Sequence, residues 1–274
     1  MKTTLLRKSL SLAAAILFAT SATAQAWNEF SDEWLDVVYV PTPHEVVKRM
    51  LEIAKVGPGD IHYDLGSGDG RIAIASVKDF NARRSVGIDL DPQRIRESLE
   101  NLAKAGVGDR VTFLNKNIFE TDFSEATVVS LYLLNRLNIK LRPTILNMRP
   151  GTRIVTQSFT MNEWESDYTE RVDFERGGGK GSANVFLYIV PAKIEGKWTL
   201  KEGANELTLD LKQSFQRFAG TATIGGKSIP VRDGKLNGAT IEFTVDVDGK
   251  AVKYEGNVEN NMITGTNWTA KKAS

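Results

Sequence analysis

The chain has 274 residues, 41% of them hydrophobic and 25% charged, with no cysteine, two histidines and a formal net charge of +1. That length allows one sizeable core or two unequal ones. The missing cysteines exclude a thiolate nucleophile, a disulfide and a Cys-rich metal site, and His44 and His62 alone argue against a His-ligated metal. A charge near zero, with no basic stripe interleaved with aromatics, disfavours nucleic acid as substrate or partner.

Lys2, Arg7 and Lys8 precede an apolar run from Leu10 to Ala19, and small residues follow at Ala22-Thr23-Ala24 and Ala24-Gln25-Ala26. This three-part layout predicts a secretory signal over 1–26, and so a periplasmic or secreted protein. The run is short for a bilayer span, which makes an uncleaved anchor the rival reading and leaves no membrane span expected after cleavage. Removing the segment takes Lys2, Arg7 and Lys8 and no acid, moving the formal charge from +1 to −2.

After a linker carrying Trp27, Phe30 and Trp34, Tyr39-Val40-Pro41-Thr42-Pro43-His44-Glu45 leads into a helical pattern at Val46, Val47, Met50, Leu51 and Ala54. Thr42 with Glu45 reads as a capping box and Pro43 as the first helical residue. Next comes Asp60-Ile61-His62-Tyr63-Asp64-Leu65-Gly66-Ser67-Gly68-Asp69-Gly70-Arg71, a buried strand that turns through three glycines into a helix. Glycines there let the backbone approach a ligand, and the following helix aims its N–H groups at the same spot. The spacing is G-x-G-x-G, not the G-x-G-x-x-G of nicotinamide and flavin sites. Asp64 and Asp69 would repel a pyrophosphate but suit an ammonium or sulfonium. Ser85-Val86-Gly87-Ile88-Asp89 is a second short strand, whose Asp89, about twenty residues on, can accept ribose hydroxyls. Together these residues point to S-adenosylmethionine.

The alternation continues with a helix over 92–105 capped by Asp91, with Ile95, Leu99 and Leu102 on its apolar face and Gly106 at its end. Strands are expected at 111–114 and 127–133, a helical stretch near 138–147 and a strand at 153–158. Such an order gives an α/β fold, a parallel sheet with helices on both faces. Tyr168–Phe174 and Val185–Val190 are expected to finish it as an antiparallel hairpin, with Gly177–Ser182 as a flexible connection. That last stretch lacks the spacing and context of a phosphate loop. Residues 193–274 change pattern. Leu207, Leu209 and Leu211 alternate with polar residues, as do Ile241, Phe243, Val245 and Val247, and Gly225-Gly226, Asp233-Gly234, Asp248-Gly249 and Asn260-Asn261 sit where hairpin turns belong. This predicts a small antiparallel all-β domain, a sandwich or closed barrel, with Trp198 and Trp268 in its core. The expected division is 1–26, 27–192 and 193–274.

Residues Tyr39 to Val190 resemble class I S-adenosylmethionine-dependent methyltransferases, with a Rossmann-like sheet. More narrowly they resemble the family of mitochondrial lysine methyltransferases that act on the ATP synthase c-subunit and the adenine nucleotide translocator, with its bacterial relatives. The likeness rests on Tyr39-Val40-Pro41-Thr42-Pro43, on Asp64-Leu65-Gly66-Ser67-Gly68-Asp69-Gly70-Arg71-Ile72, on Gly87-Ile88-Asp89 with Pro92, and on Leu131-Tyr132-Leu133-Leu134. It implies that Asp64 and the loop Gly66, Ser67, Gly68, Asp69 and Gly70 surround the methionine moiety, with Asp89 on the ribose. It also implies that Asn117, in place of the usual Asp, and Ile118 meet the adenine, that Tyr39 and Thr42 lie beside the transferred methyl, and that Tyr132 is the polar candidate for catalysis. The chain has no Asn/Asp-Pro-Pro-Tyr after the fourth strand, which speaks against the exocyclic amine of adenine. The implied activity is methyl transfer to a protein lysine. A small-molecule N- or O-methyltransferase and an exported module with a non-catalytic nucleoside-binding fold are the alternatives.

Overall fold

The computed structural model describes residues 38–247 and 249–273, so the expected signal and the linker tryptophans lie outside the described residues. Five strands are parallel: β1 (Ile61–Leu65), β2 (Arg84–Asp89), β3 (Val111–Asn115), β4 (Val128–Leu131) and β5 (Arg153–Gln157). A hairpin of β6 (Tyr168–Arg176) and β7 (Gly179–Ile189) adds to β5 antiparallel, giving the order β3-β2-β1-β4-β5-β7-β6. The order reverses between β1 and β4, the point beyond whose carboxyl ends sheets of this kind bind their ligands. The central strands β1 and β4 are buried on both faces, which is why Tyr63-Asp64-Leu65 and Val128–Leu131 carry almost no exposed surface, while Thr112 and Asn115 of the edge strand β3 are exposed.

The helices are α1 (His44–Ile53), α2 (Arg71–Lys78), α3 (Pro92–Ala105) and α4 (Asn135–Ile145). In α3 the Asp91 side chain accepts from the Gln93 N–H at 2.7 Å, Pro92 takes the first turn and Gly106, at φ 71°, ends the helix. Its buried stripe is Ile95, Ser98 and Leu102, while Leu99 is half exposed, so the expected apolar face is narrower by one leucine. The expected capping box does not form. Pro43 holds the cap position of α1 with no side-chain bond, and the Thr42 carbonyl is engaged elsewhere. The fourth strand is shorter than expected, and α4 starts three residues before the predicted stretch. The connection from β6 to β7 shrinks to Gly177-Gly178, both at positive φ, and Gly179–Ser182 belong to the strand.

The C-terminal part is a closed barrel of eight strands, β8 (Gly196–Glu202), β9 (Asn205–Ser214), β10 (Arg217–Ile224), β11 (Lys227–Asn237), β12 (Thr240–Val247), β13 (Lys250–Glu259), β14 (Met262–Gly265) and β15 (Thr269–Lys272). The first and last strands pair, Lys201 opposite Thr269. The alternating residues fill the interior, where Phe243 stacks on Tyr254 at 5.1 Å and Trp268 meets both rings edge-on. Trp198 is fully buried and donates its indole N–H to the Ile194 carbonyl at 2.7 Å. Asp233-Gly234 is not a turn. It is a bulge inside β11, where the register slips between Arg232 and Lys235 and a Cβ on residue 234 would lie 2.2 Å from the Phe218 carbonyl. The turn into β12 is at Gly238-Ala239 instead.

Barrel and sheet have separate buried cores, yet Val40–Ser274 is one compact unit. The Ala192 N–H donates to the Gly238 carbonyl at 2.8 Å, Gln216 Nε2 donates to the Glu165 carbonyl at 2.7 Å, and Phe215 stacks on buried Trp164 at 6.0 Å. Gly238 also lies so close to Gly151 that a Cβ would come within 2.9 Å of its Cα. Gly151 leads into β5, so the barrel is seated toward the amino-terminal edge of the sheet, away from the ligand crevice.

Candidate active site

The glycine turn is built by hydrogen bonds that converge on Asp89. Gly66 and Ser67 donate their N–H groups to the Ile88 carbonyl at 2.8 and 3.0 Å, and Gly68, at φ 53°, donates to Asp89 Oδ2 at 2.8 Å. Asp89 Oδ1 accepts from the Asp91 N–H at 2.9 Å. Each carboxylate oxygen spends one lone pair on the backbone and keeps one for a hydroxyl. Burial raises the Asp89 pKa, against these two N–H bonds that lower it. Gly70 caps α2 at φ 80°, and a Cβ there would lie 2.4 Å from the Phe113 ring. That glycine is demanded by packing as much as by any ligand.

Asp69 does not offer a free carboxylate to a ligand. Arg71 grips it with a 2.6 Å contact and donates a further N–H to the Thr42 carbonyl at 2.7 Å. The pair thereby pins the segment before α1 against the glycine turn. Arg153 Nη1 donates to the Ala54 and Lys55 carbonyls, so the carboxyl end of α1 lies at the amino end of β5 and the two run antiparallel. A ten-residue helix and a five-residue strand are each roughly 15 Å long. The bond from Arg71 to its carbonyl sets Thr42, only 4% exposed, at the carboxyl end of the sheet beside the glycine turn. Tyr39 closes the N-terminal segment Met1–Tyr39 and is partly exposed.

Asp64 is the most unusual group. It is 2% exposed, its Oδ1 accepts from Ser130 Oγ at 2.6 Å, and its Oδ2 is buried without a partner among the described residues. Burial pushes its carboxyl up to about 7, with the Ser130 hydrogen bond opposing it, Asp89 and Asp69 adding to it and the nearby Ala73 N–H a small opposing effect. Behind it, His62 Nε2 lies 2.9 Å from Ser130 Oγ and Nδ1 lies 2.9 Å from Ser85 Oγ. Burial drives the imidazole down to about 3, so it is neutral. Since Ser130 gives its proton to Asp64, it accepts from Nε2–H, and Nδ1 accepts from Ser85. His62 is thus a satisfied spacer that fixes Ser130 against Asp64. An orphaned carboxylate oxygen, with the buried and equally unpartnered Ser67 Oγ nearby in the turn, fits a ligand whose buried end is cationic and carries N–H donors.

On the other flank, Leu131 and Leu133 are buried, and a Cβ on residue 66 would meet Leu133 Cδ2 at 2.8 Å. Tyr132 is half buried, stacks on Phe159 at 6.2 Å, and its hydroxyl has no hydrogen bond among the described residues. Asn117 works as a turn-builder: its Oδ1 accepts from the Phe119 N–H and its Nδ2 donates to Glu120, both at 3.0 Å, with Ile118 half buried between. The amide oxygen expected for an adenine is already half used. Among the described residues no cluster of His, Asp and Glu is arranged to hold a metal.

Local pattern missed Arg71 and Ser130. The signal for Arg71 was its place two residues after Asp69 at the start of a helix. Ser130 carries no local mark, except that it is a polar residue near the end of a hydrophobic strand.

The family model for the ANTKMT methyltransferase domain matches residues 64–168. A protein-lysine N-methyltransferase of Saccharolobus islandicus (strain REY15A) is 46% identical over 155 residues, 56% of this chain and 94% of that protein. The adenine nucleotide translocase lysine N-methyltransferase of Mus musculus is 28% identical over 135 residues, 48% of this chain and 57% of its own length. Among solved structures, an RNA methyltransferase from Salinibacter ruber in complex with S-adenosyl-L-homocysteine superposes with a TM-score of 0.50 at 44% identity, covering 57% of this chain and 96% of that one.

Proposed function

The chain belongs to the S-adenosylmethionine-dependent methyltransferases of the ANTKMT type, and from that premise we propose that it methylates the side-chain amine of a protein lysine. S-adenosylmethionine supplies, when bound, a methyl on a sulfonium, so that an amine lone pair forms the N–C bond as the C–S bond breaks and S-adenosylhomocysteine leaves. In this reading Asp64 meets the cationic end of the cofactor and Asp89 takes the ribose hydroxyls. Leu131, Leu133 and Leu134 form an apolar wall on the acceptor side. Such a wall disfavours an ammonium, so the lysine sheds its proton to water before attack. The protein's task is then mainly to hold nitrogen and methyl in line, about 3 to 3.5 Å apart. Tyr132, which follows Leu131 in the same segment, is the polar group assigned to orient the nitrogen.

The observation that carries the lysine reading is this wall, which suits an alkylamine better than a phosphate backbone. Export is part of the proposal on the strength of the Lys2–Ala26 layout, and places the acceptor in the cell envelope. The test is transfer of labelled methyl from S-adenosylmethionine to an envelope extract and to total RNA, followed by hydrolysis. Label in methyllysine supports the proposal. Label in RNA alone would transfer the reading to the class named for the Salinibacter relative.

A further inference from the structure

Gln157 closes β5 at the carboxyl edge of the sheet and is 3% exposed. Its Oε1 is buried and has no hydrogen-bond partner among the described residues. A buried amide oxygen left unpaired costs roughly 1–3 kcal/mol, so such an atom in a well-packed strand calls for a ligand. Its register partner is Val185, which with Val155 packs on the face covered by α1. The antiparallel course of α1 brings Thr42 and Pro43 to that same end. One residue further on, Ser158 turns at φ 62° and Phe159 swings onto Tyr132. Since Leu131 pairs with Thr156, Gln157 falls in the row of Tyr132, beside the acceptor wall and at the end of the sheet that also holds Thr42.

We infer that Gln157 receives the acceptor, its Oε1 taking a hydrogen bond from the amine N–H and so turning the nitrogen lone pair toward the methyl. This rests on the lysine reading above and deepens it. Two features favour the acceptor over the cofactor. The strand order sets β5 two places from β1, roughly 10 Å from Asp64, which already faces the cofactor's charged end. A neutral amide also suits an amine that must give up a proton: a carboxylate at the same point would stabilise the ammonium and withhold the lone pair. A primary amine can donate one N–H to Oε1 and still attack.

The probe is n-butylamine, the lysine side chain cut at its α-carbon, titrated into the full chain loaded with S-adenosylhomocysteine. Gln157→Leu and Gln157→Met keep the volume and remove the acceptor atom. The expected result is saturable amine binding by the parent, weakened about tenfold or more in both variants, the loss of one such bond. Affinity for S-adenosylhomocysteine should stay within about twofold, and the melting temperature should not fall, since the removed amide oxygen was unpaired. Equal amine binding by parent and variants would overturn the assignment of Gln157 and leave the lysine reading standing. Binding of S-adenosylhomocysteine without any amine binding at tens of millimolar would sink both. A tenfold loss of S-adenosylhomocysteine affinity, or melting well below the parent in both variants, would make Gln157 a cofactor or structural residue and refute the inference.

Discussion

Asp64→Asn is the sharpest test of the cofactor site, because one carboxyl then controls both stability and affinity. Its pKa of about 7 lies some three units above the ordinary 3.8, which at 1.36 kcal/mol per unit is about 4 kcal/mol. The folded pKa is the higher one, so the stability Asp64 contributes is fully present below about pH 4 and is lost as pH rises toward 7. The ligand-free parent should thus melt lower at about pH 8 than at about pH 5, while Asp64→Asn, still able to accept from Ser130, should lack this component. From about pH 5 to above 7 about two of those units are lost, roughly 2.7 kcal/mol, so at roughly 2–4 °C per kcal/mol the difference is about 5–10 °C. A cation beside Oδ2 reverses the balance by favouring the carboxylate. Binding of S-adenosylmethionine at about pH 6 should then release close to one proton, and affinity should climb as pH rises to about 7 and level off above it. Calorimetry in two buffers of different ionisation enthalpy reads the proton directly, with Asp64→Asn as the control. Identical proton release by parent and variant, or a parent affinity flat from about pH 5.5 to 7.5, would refute the assignment of Asp64 to the cofactor's charged end.

Asp89→Ala should weaken S-adenosylmethionine binding by about 1.5 to 3 kcal/mol, through lost ribose bonds and a loosened Gly68 turn; parent-like affinity in a calorimetric titration would misplace the ribose. A chain ending at Ala192 should keep its cofactor affinity, because the barrel is seated at the opposite edge, but should melt lower as Trp164 loses Phe215 and the Glu165 carbonyl loses Gln216; loss of cofactor binding would show that the sheet cannot stand without the barrel. Mass spectrometry of an osmotic-shock fraction should find the chain cleaved after Ala24 or Ala26, whereas an intact Met1 in the membrane pellet would favour an anchor.

What the sequence discloses here is what lies within a few residues of itself. Gly66, Gly68, Gly70 and Asp89 announce the turn and the acid that braces it, and the alternation of Leu207, Leu209 and Leu211 announces a strand with one buried face. Asp69 shows the limit: its charge is legible, but not that Arg71 has claimed it and passed a hydrogen bond on to Thr42. His62 reads as an isolated histidine because Ser85 and Ser130, its two partners, come from strands far along the chain. Asp233-Gly234 has the composition of a turn and becomes a bulge because Phe218, on the neighbouring strand, leaves no room for a Cβ. Gln157 is invisible for a different reason, since what marks it is a missing partner.

The closed barrel imposes an order on how the chain reaches this state. Seven of its eight pairings join consecutive strands and can zip locally, but the eighth joins β8 to β15 across about seventy residues of intervening chain. Until the four residues Thr269–Lys272 arrive, β8 and β14 each present a bare row of N–H and C=O groups, the kind of edge on which a second chain can add. The sheet domain precedes the barrel in the chain and meets no such delay. A lesion confined to those four residues would therefore leave the methyl-transfer machinery formed and turn the barrel strands into a template for aggregation.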